Sequence, residues 1–156
     1  MSVEISNESG RQVDETRIVA CSRHVMAALG IPPAAELSVL LVDLDTMAQL
    51  HERWMDLPGA TDVMAFPQED AIPGHPGEED VPPALLGDVV LCPEFAEGNA
   101  REAGHELTDE LDLLTVHGIL HLVGHDHDEE DEARDMFARQ SQLLTSWSAV
   151  RTGAQA

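Results

Sequence analysis

The chain has 156 residues, 43% hydrophobic and only 3% aromatic, with two Trp, three Phe and no Tyr. That length fits one domain, 1–156, around an aliphatic core, and leaves too little for two independent cores. Thirty acidic against eight basic residues give a formal net charge of −22, which repels polyanions at long range; the composition argues against RNA as a partner unless a local basic or metal-bearing patch exists. In chain order, Val3 and Ile5 alternate with polar residues as a short strand, and 13–29 suits a helix stopping at Gly30. Residues 37–42 form a buried strand, and Asp45 is expected to cap a helix through Leu50 and Trp54 that Pro58 and Gly59 end. Strands follow at 62–66 and 87–92, separated by an acidic loop at 68–83, and Pro93 opens a helix to about Ala103.

The last third is helical in pattern. Thr108 is expected to cap a helix whose apolar residues run almost all round it to Gly124, the mark of a central, buried element. Asp128 is expected to cap a final helix with Ala133, Met136 or Phe137, Gln140, Leu144 and Trp147 on one face, before a flexible tail at 148–156. Strands early and helices late predict an α+β domain with a small mixed sheet. The longest apolar run, 37–42, is far short of the about 20 residues that span a bilayer. The start, M-S-V-E-I-S-N-E, lacks the basic and apolar regions of a secretory leader. The expectation is a cytoplasmic protein without a membrane span, its Cys21 and Cys92 buried as free thiols.

Four of the eight histidines lie within His117-Gly-Ile-Leu-His121-Leu-Val-Gly124-His125-Asp126-His127. His117 and His121, at i and i+4, project from one helical face and can bind one cation. Gly124 lets the chain leave the helix and swing His127 back to the same point, whereas His125 is out of register with the pair. Three neutral nitrogens leave one tetrahedral position open, the catalytic arrangement of zinc, which lowers the pKa of bound water toward about 7. One Zn2+ per chain is expected, with other divalent transition metals possible. Asp126, Asp128 and Glu129 are candidates to fix the imidazole orientation from behind. The histidine and glycine spacings also match the metzincin peptidase motif, but Gly118 stands where that motif has its general base, so a zinc peptidase is the lesser reading.

The segment from His117 to His127 resembles the YbeY family signature H-G-x-L-H-L-x-G-[YH]-D-H. The likeness extends to Thr61-Asp-Val-Met-Ala-Phe-Pro67, similar to T-D-V-L-S-F-P, and to Gly87-Asp-Val-Val-Leu-Cys-Pro-Glu94, similar to G-D-I-x-I-x-x-E. The resemblance implies a single-domain α+β protein with one zinc on His117, His121 and His127. It also implies an endoribonuclease that cleaves single-stranded RNA, matures ribosomal RNA, notably the 3′ end of the small-subunit species, and serves ribosome quality control. The expected partners are then ribosomal RNA and the ribosomal small subunit. One position departs: the family often carries N-x-x-[YF]-R ahead of T-D-V, and here His51-Glu-Arg53-Trp54-Met55 puts Met55 in the arginine's place. Either Arg53 reaches the site instead or catalysis rests more on the metal. His51 or a nearby carboxylate is the expected proton carrier. A ribosome assembly factor without physiological cleavage is the remaining alternative.

Overall fold

The computed structural model describes residues 2–68 and 85–153. Of the acidic stretch at 68–83, only Gln68 falls within them. Strands β1 (Ser2–Asn7), β2 (Glu36–Leu41), β3 (Val63–Pro67) and β4 (Leu85–Leu91) make one sheet in the order β1-β2-β4-β3. β1, β2 and β4 run parallel while β3 is antiparallel to β4, the mixed sheet of an α+β fold expected from the sequence. Five helices complete the described fold: α1 (Glu15–Ala28), α2 (Leu44–Met55), α3 (Pro93–Ala103), α4 (Leu107–Leu122) and α5 (Glu130–Thr152).

Strand alternation sends the sheet residues to two different cores. Leu37, Val39, Leu41, Val89 and Leu91 join Ile18, Val25 and Met26 of α1, Leu114, Ile119 and Leu120 of α4, and Met136, Leu143 and Trp147 of α5. On the opposite face, Val42, Met64, Val90 and Cys92 pack with Met47 of α2, flanked by Leu40, Leu50 and Phe66. α4 touches α1, α3, α5, β3 and β4, so it is the central helix that its nearly all-round apolar sequence predicts. Cys21 and Cys92 are both free and buried, and burial pushes both thiols up in pKa, which keeps them unreactive.

Helix starts differ from the sequence expectation by one or two residues, and the residue that takes the extended cap conformation is an acid in each case. At α2 the cap is Asp43, whose side chain accepts the Thr46 N–H at 2.8 Å, and Asp45 sits in the first turn. At α4 it is Glu106, not Thr108, with Asp109 accepting the Glu106 N–H at 3.4 Å. At α5 it is Glu129 rather than Asp128. α5 also continues through Thr152 to Gly153, so 148–152 is helical where a flexible tail was expected. Trp147, 5% exposed, pins that end to the core. On the same helix Met136 faces inward and Phe137 is exposed.

Candidate metal centre

His117 and His121 occupy one face of the last two turns of α4. The helix ends with Val123 as its cap and Gly124 at φ 98°. Gly124 N–H donates to His121 O at 3.1 Å and His125 N–H to Leu120 O at 3.0 Å, the paired bonds of a Schellman motif, which needs a left-handed residue at that point. The turn carries the chain back over the helix end. Ring centroids of His127 lie 5.6 Å from His117 and 5.3 Å from His121. The candidate ligand atoms of the three residues fall within 4.8 Å of one another. The Nε2 atoms of His117 and His121 are 3.1 Å apart, close to the separation of about 3.3 Å that two nitrogens on one tetrahedral zinc require. The donor set therefore fits a borderline transition metal.

Why these nitrogens are available as ligands is a matter of what holds the rings. The Nδ1 of His117 lies 2.8 Å from Gln140 Oε1 on α5. An amide oxygen only accepts, so Nδ1 carries the proton and Nε2 presents its lone pair to the cluster. Gln140 lies on the inner face of the last helix as its spacing predicts, but its role is not readable from the chain, since nothing local links it to a residue 23 positions away. Asp126 accepts the backbone N–H of His127 at 2.7 Å, which holds its carboxyl below the usual range. That bond fixes the returning loop. Among the described residues neither Asp126 nor Asp128 hydrogen-bonds a histidine ring, although each has an oxygen within 4.8 Å of a His127 nitrogen. Burial, then the neighbouring His117 and His127, lower the His121 pKa and favour its neutral, metal-competent form.

The three histidines open on a pocket of about 710 Å³ that is also lined by His51, Trp54, Met55, Asp62, Phe66, Asp126 and Asp128. His51, from α2, lies with Nδ1 2.9 Å from Gly59 O; a carbonyl fixes the proton on Nδ1 and leaves Nε2 as an acceptor. Asp62 is held by Asn99 Nδ2 at 3.1 Å and by the Thr61 hydroxyl at 3.3 Å. Arg53 does not line the pocket; its guanidinium carbon lies over the ring of Trp54, which does, 5.6 Å from the centroid. Met55 does line it. Gly118 faces the sheet, where an added Cβ would come within 2.8 Å of Val89 Cγ1. A glutamate at this position has no room, so the general base of the metzincin motif is sterically excluded by the packing of α4 on β4.

The family profile described as Endoribonuclease YbeY matches residues 4–148. The chain belongs to the YbeY family. Similar relatives bearing the name Endoribonuclease YbeY include that of Acidothermus cellulolyticus, 59% identical over 97% of this chain and 94% of its own. Those of Nocardia farcinica and Mycolicibacterium smegmatis are each 57% identical, covering 94% and 99% of this chain and 80% and 87% of theirs. The solution structure of TM1509 from Thermotoga maritima shares the fold, with a TM-score of 0.63 at 24% identity over 97% of this chain and 93% of that one. Among the described residues no helix is long and apolar enough to cross a membrane.

Proposed function

We propose that this YbeY-family chain is a metal-dependent endoribonuclease that cuts single-stranded RNA in the cytoplasm, maturing the 3′ end of small-subunit ribosomal RNA and serving ribosome quality control. The observation that carries the reading is the convergence of His117, His121 and His127 on one point of an open pocket, in a family described as an endoribonuclease. These three residues would hold one Zn2+ or a similar ion. When bound, the metal supplies Lewis acidity toward a phosphate oxygen and a more acidic water. His51 offers an unprotonated Nε2 on the pocket wall, suited to take a proton from the attacking oxygen and return one to the leaving oxygen. Arg53, which makes no ion pair among the described residues, stands at the rim for a flanking phosphate. Asp126 and Asp128 flank His127, and Asp126 holds the loop in place through the His127 N–H.

The test is cleavage of a labelled single-stranded fragment from the 3′ end of small-subunit ribosomal RNA by zinc-loaded wild type and by His121→Ala purified identically. Cleavage by wild type alone, abolished by chelation, is the expected result. Equal cutting by both proteins, or by neither across several metals and salt concentrations, overturns the nuclease reading and leaves a binding role for the same pocket.

A further inference from the structure

Large apolar side chains are not evenly spread over the surface. Trp54 is 59% exposed, and its neighbours Met55 and Leu57 are 57% and 50% exposed. Trp54 and Phe66 line both the histidine pocket and an adjoining groove of about 960 Å³ across β1, β2 and β4, so the two spaces meet at this pair. The ring of Phe66 meets that of Trp54 edge-on, with centroids 5.9 Å apart. Phe66 is itself packed against the smaller core under α2, which gives the indole a rigid support. The guanidinium carbon of Arg53 lies over the indole ring, 5.6 Å from its centroid, and leaves the other face of the ring for a base. Among the described residues, the charged side chains lining the two spaces are the carboxylates Glu4, Asp62, Asp88, Asp126 and Asp128, and no Arg lines either of them.

A polyanion entering such surroundings gains little from phosphate contacts. It can gain from the neutral faces of its bases, because every base has a π-face and stacking does not depend on protein charge. We propose that Trp54, supported by Phe66 and flanked by Arg53, is a stacking subsite for one unpaired nucleobase of the RNA strand whose phosphate reaches the histidines. This rests on the endoribonuclease reading and adds what the strand is held by. An unpaired base is required because a base within a duplex is already stacked on both faces, so the subsite selects single strands. Met55, standing where the family signature has an arginine, extends the apolar surface beside the indole and does not compete for phosphate.

The chain has two tryptophans, and Trp147 is buried, so fluorescence quenching by a stacked base reports on Trp54. Zinc-loaded full-length protein is mixed in a stopped-flow instrument with a single-stranded RNA oligonucleotide, an abasic ribose-phosphate strand of equal length, or the same RNA as a duplex, and emission is read before cleavage proceeds. Quenching by the single strand, and none by the abasic strand or the duplex, is expected. Trp54→Ala lowers affinity for the single strand roughly 5- to 100-fold, Trp54→Phe retains most of it, and the far-ultraviolet spectrum stays that of wild type. His121→Ala keeps the quenching while losing cleavage. Equal binding of the abasic strand, or unchanged affinity in Trp54→Ala, overturns the subsite and leaves the nuclease reading standing. Absence of both RNA binding and cleavage in wild type overturns both.

Discussion

The two faces of the sheet are built to different ends. On one, α1, α4 and α5 seal Leu37, Val39, Leu41, Val89 and Leu91 into a continuous aliphatic core. On the other, α2 covers a smaller cluster around Met47 and Val90 and leaves Trp54 and Met55 exposed at its own C-terminal end. The first face is where rigidity is needed, since the last turns of α4 carry His117 and His121, and sub-ångström placement of ligand nitrogens calls for a helix that cannot shift. The second leaves apolar surface unburied beside the same pocket, where folding gains nothing from it and a flat ligand can. In the proposed reading, the α4 side of the sheet holds the histidine trio, and the α2 side supplies both His51 and the contact surface.

Substitutions that sharpen this contrast differ widely in expected size. Ile119→Ala, deep in the larger core, is expected to cost about 2–5 kcal/mol in urea unfolding; a loss under about 1 kcal/mol would mean the α4 face is not the rigid side. Gln140→Leu removes the acceptor from His117 Nδ1 and is expected to weaken zinc binding about 10- to 100-fold in chelator competition, with Gln140→Glu restoring it. Equal affinity in both variants would assign Gln140 to packing alone. Trp54→Ala is expected to change unfolding stability by less than about 0.5 kcal/mol, because its ring is mostly in solvent. A larger loss would make the exposed face a structural one and remove the contrast.

Several features were legible in the sequence because their causes are local. The i, i+4 histidine pair and the glycine turn that returns His127 depend on helix geometry over eleven consecutive residues. Strand and helix order followed from hydrophobic period, and the core role of α4 from an apolar pattern without a polar face. Helix caps fall at Asp43, Glu106 and Glu129 and not at Asp45, Thr108 and Asp128, because several acids lie within reach of each helix start and backbone conformation chooses between them. Periodicity alone does not choose between Met136 and Phe137 as the inward residue of α5, since adjacent positions 100° apart can both border an apolar stripe until a neighbour is specified.

By itself, then, the sequence determined the elements and the spacing of the candidate ligand trio through rules that act within a few residues. Tertiary structure alone decided what those residues meet. It brought Gln140 to the back of His117 and seated Gly118 against Val89, where a glutamate cannot fit. It also joined Trp54 and Phe66 at the mouth of the histidine pocket. Each of these contacts joins distant positions through the packing of separate elements, and no periodicity in the chain encodes which element will lie against which.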